Sequence, residues 1–250
     1  MKNWKVKFSS QIVSFFLEGK FAAIPNMVDK ANAFYITDEN VYALHQKKFK
    51  GKKTIIIPAG EEHKQQATVD FIIEALLNLG ATREAVLIGV GGGVVTDMVG
   101  YVAGVYMRGV AVGFVPTTIL AMVDASIGGK NGINTTYGKN QIGTFMMPDQ
   151  VLICPEFLLE LPEKQIKNGL IELIKAGFLK SPELVQQVYE TDISKVNIEL
   201  IKAAVDIKNE IIQNDFKESS ERMYLNFGHT IGHLIEVDSK HSIPHGEAVG

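Results

Sequence analysis

The sequence predicts an α/β protein in which a domain built on a mostly parallel sheet precedes an α-helical domain. Short apolar segments alternate with helical patterns in the first part of the chain, and this alternation is typical of parallel sheets. From Glu163 onward the strand signal fades and helical patterns follow one another. We therefore place a domain boundary near residue 155 and predict domains at 1–155 and 156–250.

The strands of the first domain are predicted from apolar segments bounded by turn residues. They are expected at Ala33–Thr37, Lys53–Ile57, Ala85–Val90 and Val110–Val115. Helices are expected to begin at 38–40, to cover 66–80, and to run from the glycines at 91–93 to about residue 106. The helix at 66–80 is predicted from an apolar stripe formed by Val69, Ile72, Ile73, Leu76 and Leu77.

The second domain is predicted to be helical at 163–179, 183–190, 192–213 and 220–236. Pro162 and Pro182 lie near two of these starts, where proline is favoured. The last residues, 245–250, have the pattern of the beginning of another helix. We therefore expect the natural chain to continue beyond them.

Composition indicates a globular protein from a reducing compartment. The 250 residues include one cysteine, Cys154, so no disulfide is possible within the chain, and a formal charge of -3 with scattered basic residues argues against nucleic-acid binding. The N-terminal segment lacks the apolar core of a signal peptide. Asp97 and Arg108 interrupt the apolar stretch 85–123, which predicts buried sheet rather than a membrane span. We expect a cytoplasmic protein with no membrane partner.

A glycine-rich turn follows the third predicted strand, at Gly91, Gly92 and Gly93. In a Rossmann-like domain such a turn lets the backbone approach a pyrophosphate, which the helix N-terminus then binds. The glycines lack the full G-x-G-x-x-G spacing, so a plain strand–helix turn is the alternative. Polar residues after the other strands favour a nucleotide site, because ligands of open α/β sheets bind beyond the carboxyl ends of strands. These residues are Asp38, Glu61, Lys64, Thr117 and Thr118.

Four of the six histidines lie near the end of the chain, at His229, His233, His241 and His245. Two imidazoles and one carboxylate, here Glu172, form a common ligand set for a catalytic divalent metal, usually zinc. The sequence therefore predicts a metal site that keeps one position open for substrate.

Several motifs in unbroken order resemble the 3-dehydroquinate synthase family, at 91–97, 116–118, 123–130, 138–140 and 226–233. The resemblance implies an NAD-binding α/β domain followed by a helical domain that binds zinc or cobalt. It implies conversion of a small phosphorylated sugar acid, 3-deoxy-D-arabino-heptulosonate 7-phosphate, to 3-dehydroquinate and phosphate in the shikimate pathway. NAD would oxidise a ring hydroxyl transiently and would be regenerated.

The resemblance also implies roles for individual residues. The metal ligands would be Glu172, His229 and His245. His233 would move protons near the substrate phosphate; because it lies one helical turn after His229, a second metal ligand is the alternative. His241 matches no family position of this kind and is expected in a loop.

The substrate carries two anionic groups, which cations and amides must bind. Lys130 and Asn140 would bind the phosphate, and the carboxylate end would meet Lys208, Arg222 and Asn226, the last two on one helical face. The full set of implied substrate contacts is Arg108, Lys130, Asn140, Lys175, Lys208, Arg222 and Asn226. The implied catalytic residues are His233, Lys175, Asp124 and Lys130.

Arg108 would reach the phosphate site of a neighbouring subunit, which implies a homodimer; an exposed helix cap is the alternative. Lys139, in a lysine-rich loop, would contact the cofactor, as would Asp124 and Lys130. The cofactor contacts are expected at Asp38, Asn40, Glu61, Lys64, Gly91, Gly92, Gly93, Val94, Val95, Thr96, Asp97, Thr117, Thr118, Asp124, Lys130 and Lys139.

The chain departs from the family pattern in two places. Glu160 stands where the family usually has threonine near the nucleotide, and family chains continue through helices that add a basic substrate contact. Three alternatives follow: a cyclase that uses a neutral sugar phosphate, a metal-dependent polyol dehydrogenase that releases NADH, and a nucleotide-binding module without activity. The set Lys208, Arg222 and Asn226 favours an acid substrate over a neutral one.

Overall fold

The computed structural model describes residues 2–9, 11–17, 19–26, 29–192, 196–239 and 243–250, without the side chains of residues 25, 26, 233 and 237. His241 lies outside the described residues. The described strands are Lys2–Phe8 (β1), Gln11–Leu17 (β2), Ala33–Asp38 (β3), Lys53–Ile57 (β4), Val86–Gly91 (β5), Ala111–Pro116 (β6), Lys130–Thr135 (β7), Gly138–Phe145 (β8) and Gln150–Leu152 (β9). The described α-helices are Glu39–Phe49 (α1), Gln66–Asn78 (α2), Gly93–Val105 (α3), Glu163–Lys180 (α4), Pro182–Glu190 (α5), Ile198–Asn214 (α6), His229–Asp238 (α7) and His245–Val249 (α8).

Seven of the described strands form one sheet, in the order β1-β2-β9-β6-β5-β3-β4. Every neighbouring pair from β2 to β4 is parallel, and β1 pairs with β2 in the antiparallel sense. β7 and β8 form a separate antiparallel hairpin. The predicted fold class, a mostly parallel sheet followed by helices, is confirmed.

Both faces of the sheet are buried, as expected for parallel strands connected by helices. Phe34 and Ile36 of β3 face α2 and α3 in one apolar cluster, whereas Tyr35 faces the cluster that contains Phe49 of α1. A third cluster joins β1 and β2 to α4, α5 and α6. Among the described helices, none combines the length and apolar character that a bilayer crossing requires.

The four predicted strands are confirmed as β3, β4, β5 and β6, but the hairpins were missed. β1 lies at the sheet edge and alternates polar with apolar residues, and β8 is mostly exposed with polar residues on both faces, so these two strands lack the apolar segment on which the prediction depended. β2 does have one, with Val13, Phe15 and Leu17 buried, and was missed all the same. Lys139, which we expected in a loop, lies in β8.

Two predicted helices have different bounds. The helix predicted at 192–213 begins at Ile198, because the side chain of Asn197 accepts hydrogen bonds from the first amides of α6. The helix predicted at 220–236 is broken into a 3-10 turn, Glu221–Asn226, and α7. Gly228 lies between them with φ +80°, and a Cβ there would lie 2.7 Å from the Val249 carbonyl oxygen. Glycine therefore lets the two histidine-bearing helices approach closely.

Candidate active site

A cleft of about 1470 Å³ lies beyond the carboxyl ends of β3, β4, β5 and β6. Its walls include the turns after these strands, part of the β7–β8 hairpin, and the segments that carry His229 and His245. Pockets for a single drug-sized ligand usually enclose about 300–1,000 Å³. The cleft is therefore large enough for an extended ligand together with a second small molecule.

The glycine turn forms part of the cleft wall where β5 meets α3. Gly92 occupies the N-cap of α3 and has no side chain to cap its first amides, which leaves this helix start open to an anion. Gly92 and Gly93 line the cleft. A Cβ on Gly91 would lie 2.4 Å from Val95 Cγ2, so this glycine is required for close packing of the helix on the strand.

Most predicted cofactor contacts line this cleft. Gly91 and Thr96 are not among the lining residues: Thr96 is 0% exposed, and its hydroxyl donates to the Gly93 carbonyl oxygen at 3.0 Å. Asp38 caps α1 by accepting from the Val41 amide at 2.9 Å. The predicted contacts that line the cleft are Asp38, Asn40, Glu61, Lys64, Gly92, Gly93, Val94, Val95, Asp97, Thr117, Thr118, Asp124, Lys130 and Lys139.

Lys64 joins residues that the sequence assigned to different ligands. Its ammonium lies 2.5 Å from Asp97 Oδ2 and 2.6 Å from Asn140 Oδ1, and the residue is 4% exposed. Burial alone would lower the pKa of Lys64, but Asp97 and Glu61 hold that pKa above its usual value. Lys64 is therefore a buried cation that links the glycine-turn helix to β8.

Glu172, His229 and His245 converge as the sequence predicted. The three residues offer donor atoms that all lie within 4.8 Å of one another. Glu172 Oε1 is 3.9 Å from His229 Nε2 and 3.5 Å from His245 Nε2. Tetrahedral ligands at about 2.1 Å from zinc would be roughly 3.4 Å apart. The donors thus already lie near the spacing of a metal site.

The surroundings of Glu172 also fit a cation. The residue is 2% exposed; Lys175 pairs with its Oε2, and the Nε2 atoms of His229 and His245 face its Oε1. Burial would raise the pKa of Glu172, but His245 and Lys175 hold it below its usual value. A buried carboxylate is costly unless cations or donors surround it, and a metal between Oε1 and the two imidazoles would add a second cation to Lys175.

Both imidazoles are oriented through their Nδ1 atoms. His229 Nδ1 lies 3.1 Å from the Phe227 carbonyl oxygen, and His245 Nδ1 lies 3.3 Å from Glu236 Oε2. Both partners accept only, so Nδ1 carries the proton and Nε2 faces Glu172. Burial and Lys175 lower the pKa of His229, which favours the neutral imidazole that binds metals.

A second charged group surrounds Asp124, which lies in a π-helical turn, Ala121–Ala125. Asp124 Oδ1 is 2.5 Å from Lys208 Nζ and 3.9 Å from Lys175 Nζ, and Lys175 also pairs with Glu172. Burial would raise the pKa of Asp124, but Lys208 and Lys175 hold it below its usual range. A continuous chain of charges therefore connects Lys208 to the metal triad.

Lys130 and Asn226, which the sequence assigned to opposite ends of the substrate, both contact Glu218. Lys130 forms an ion pair with Glu218, and the Asn226 amide donates to Glu218 Oε1 at 2.7 Å. Arg222 is buried and donates to the carbonyl oxygens of Gly128 and Phe216. Arg222 and Asn226 lie in a 3-10 turn, where residues four apart do not align, so the predicted shared α-helical face is wrong.

The remaining predicted residues have other outcomes. His233 lies in α7, but its side chain is outside the described residues. Arg108 is exposed in a 3-10 turn after α3, with φ +68°, and is not a lining residue of the cleft. Glu160, the departure from the family pattern, lines the cleft and lies 3.1 Å from His45 Nε2.

One residue of the site, Glu236, was missed by the sequence analysis. It is 3% exposed and contacts both His245 and Lys139. Burial would raise the pKa of Glu236, but its hydrogen bonds with these two cations lower it to about 2. The sequence pattern that could have identified Glu236 is its spacing after His229 and His233, which places it near the helical face that bears these histidines.

Comparison with known proteins agrees with the site. Residues 54–168 match the N-terminal model of 3-dehydroquinate synthase, and residues 169–250 match its C-terminal model. A 3-dehydroquinate synthase of Pyrococcus furiosus is 50% identical over 205 residues, which cover 81% of this chain and 61% of that protein. One of Thermococcus kodakarensis is 42% identical over 238 residues, covering 92% of this chain and 69% of that protein.

Among solved structures, 2-deoxy-scyllo-inosose synthase complexed with carbaglucose-6-phosphate, NAD+ and Co2+ has a TM-score of 0.87 and 27% identity, covering 99% of this chain and 74% of that one. The chain spans about three fifths of the length of the Pyrococcus furiosus relative. Two adjoining family models together match residues 54–250, which include the metal triad and most of the cleft, and the chain therefore belongs to the 3-dehydroquinate synthase family.

Proposed function

We propose that the protein is a 3-dehydroquinate synthase of the shikimate pathway, which converts 3-deoxy-D-arabino-heptulosonate 7-phosphate to 3-dehydroquinate and phosphate. The observation that carries this proposal is the Glu172, His229 and His245 triad, which adjoins the same cleft as the glycine turn and several basic side chains. The 50% identity to the Pyrococcus furiosus synthase supports it.

The triad residues would hold zinc or cobalt, and their donor spacing and the burial of Glu172 support that fit. When bound, such a metal supplies a Lewis acid that polarises substrate oxygens. NAD would bind along the glycine turn, with its pyrophosphate at the start of α3 and a ribose near Asp38, and would supply a reversible hydride acceptor.

The basic residues of the cleft would bind and orient the substrate. Lys130 and Asn140 would bind the phosphate, whereas Lys208, Arg222 and Asn226 would bind the carboxylate end. Lys130 and Asn226 both contact Glu218 here, so an anionic substrate would have to compete with that carboxylate. The Asp124 carboxylate, held charged by two lysines, would accept hydrogen bonds from substrate hydroxyls.

Proton movement would fall to His233, one helical turn from His229, whereas Lys175 would bind substrate oxygens. Lys175 is almost fully buried between Glu172 and Asp124, and these carboxylates hold its pKa above the usual value although burial lowers it. Lys175 would therefore remain charged and donate hydrogen bonds to substrate oxygens rather than accept protons.

A cyclase that uses a neutral sugar phosphate is the second candidate, because the likeness in fold to 2-deoxy-scyllo-inosose synthase covers 99% of this chain. The Lys208, Arg222 and Asn226 set favours the acid substrate, since a neutral sugar phosphate has no carboxylate for it to bind.

Turnover assays distinguish these activities. The protein is supplied with NAD+, Zn2+ or Co2+, and either the heptulosonate phosphate or glucose 6-phosphate, while free phosphate and NADH absorbance are measured. Phosphate release from the acid without net NADH is expected. Preference for glucose 6-phosphate would indicate the second candidate, and accumulating NADH would indicate a dehydrogenase.

Lys208→Met should abolish turnover of the acid, whereas Lys202→Met, at a more exposed site on the same helix, should not.

We also propose a cytoplasmic homodimer in which Arg108 contributes to the phosphate site of the neighbouring subunit. Exposed Arg108 has a left-handed backbone at the end of α3, which projects it from the surface of its own chain. Light scattering coupled to size exclusion should give the mass of two chains. A monomer of full activity would contradict this assembly.

A further inference from the structure

Glu236 connects two parts of the molecule that belong to different predicted domains. Its Oε1 lies 2.8 Å from Lys139 Nζ on β8, and its Oε2 lies 3.3 Å from His245 Nδ1 at the start of α8. Each oxygen thus has a separate cationic or donor partner. Lys139 is a predicted cofactor contact that lines the cleft, so the carboxylate lies between the cofactor wall and the metal triad.

The contact with His245 determines which imidazole nitrogen is available. A carboxylate accepts but cannot donate, so Nδ1 must carry a proton and Nε2 faces Glu172 at 3.5 Å. The buried Glu236 of α7 is therefore a fixed partner for His245 Nδ1.

We propose that Glu236 is a positioning residue that orients His245 for metal binding and ties it, through Lys139, to the cofactor wall of the cleft. This inference rests on the proposed function for the metal at the triad. Outer partners of metal-binding histidines typically change metal affinity by about 10–100-fold when they are replaced.

Metal binding to three variants tests this role. Glu236→Met removes both acceptors at similar volume, whereas Glu236→Gln keeps one oxygen that can accept from Nδ1. Asp238→Asn, at an exposed site on the same helix, is the control. Zinc affinity is measured on metal-free protein by competition with a chromophoric chelator, and the visible spectrum of the Co2+ form reports the ligand geometry.

We expect Glu236→Met to bind zinc about 10–100-fold more weakly and to change the Co2+ spectrum. Glu236→Gln should recover part of the affinity, and Asp238→Asn should behave as wild type. Wild-type affinity and spectrum in Glu236→Met would overturn the inference. If that variant fails to fold, as judged by circular dichroism, Glu236→Ala, which also removes both acceptors, decides in its place: weaker binding by folded protein supports the role, and wild-type affinity rejects it.

The outcome is separable from the activity of the protein. Metal binding that requires Glu172 and Glu236, in a protein that releases no phosphate from the heptulosonate, would leave the positioning role intact and remove the proposed function. Phosphate release from the heptulosonate by Glu236→Met, with a zinc affinity equal to that of wild type, would remove the positioning role and leave the proposed function intact. Absence of zinc binding by the wild-type protein would remove both.

Discussion

Glu172 combines features that rarely occur together unless a cation is bound. It is buried, and it faces two imidazoles and the Lys175 ammonium. Lys175 neutralises part of its charge. Burial lowers the pKa of His229; it would also lower the pKa of His245, but Glu172 and Glu236 raise that pKa to about 9, so metal binding would release a proton from His245. One carboxylate therefore meets the requirements of a metal ligand and of an ion-pair partner at the same time.

Glu172→Gln should lose most of the metal affinity of the protein, because an amide is a far weaker ligand than a carboxylate. It also leaves Lys175 buried without this partner. Elemental analysis after dialysis should show less than about a tenth of the wild-type metal content if affinity falls by more than tenfold. Glu163→Gln, at an exposed site on the same helix, should retain the wild-type content. Equal content in both variants would exclude Glu172 as a ligand.

Cys154 is expected to be inert in the folded protein. It is 0% exposed among apolar side chains, and burial raises the pKa of its thiol to about 12. Since the thiolate is the reactive form, iodoacetamide should modify it slowly at neutral pH and completely after unfolding in urea. Mass spectrometry measures the extent. Rapid modification of native protein would show that the cluster around Cys154 opens readily.

At the scale of elements, the segment between α6 and the 3-10 turn determines how Arg222 and Asn226 are presented. The Asp215 carboxylate accepts from the amides of Ser219, Ser220 and Arg222, at 2.6–3.1 Å. One side chain therefore fixes the loop that carries Glu218. The spacing of apolar residues could not predict these hydrogen bonds, because they depend on loop backbone geometry that has no regular repeat.

Asp215→Asn should destabilise the protein at neutral pH, because Asn offers only one weaker acceptor to these amides. The hydrogen bond from the Ser219 amide is the main reason that the pKa of Asp215 lies below its usual range. Stabilisation from a depressed pKa is complete above the unfolded value of about 3.9 and is lost as pH falls through the folded value. The difference in urea midpoint between wild type and variant should thus shrink below about pH 4. A difference that grows in acid would contradict this, and exposed Asp206→Asn serves as the control.

The elements that could be predicted from the sequence are those with a regular apolar period. β3 and β5 have both faces buried, and α4 begins at Glu163 as expected. β8 has mostly exposed residues, so nothing in its pattern separates it from a loop. The break at Gly228 follows from the approach of α8, a tertiary contact that local sequence does not specify.

At the scale of the whole molecule, the metal triad could be predicted because its residue types are chemically distinctive, whereas its supporting residues could not. Glu236 and Asn168 are ordinary polar residues whose roles depend on the helix they meet: Glu236 orients His245, and Asn168 accepts from the Gly246 amide. The domain boundary near residue 155 remains a prediction, since one apolar cluster includes residues on both sides of it.

The link from Lys139 through Glu236 to His245 predicts that zinc and NAD+ bind cooperatively. Zinc would fix His245 and hence Glu236, which in turn holds Lys139 on the cofactor wall. Typical couplings correspond to about 5–150-fold, and each ligand must change the affinity of the other equally. Calorimetric titration of NAD+ with and without zinc should therefore give a lower Kd with zinc. Lys139→Met should bring the ratio of the two Kd values close to one, whereas exposed Lys5→Met should preserve it. A wild-type ratio of one would mean that the two sites respond independently, whatever the contacts between them.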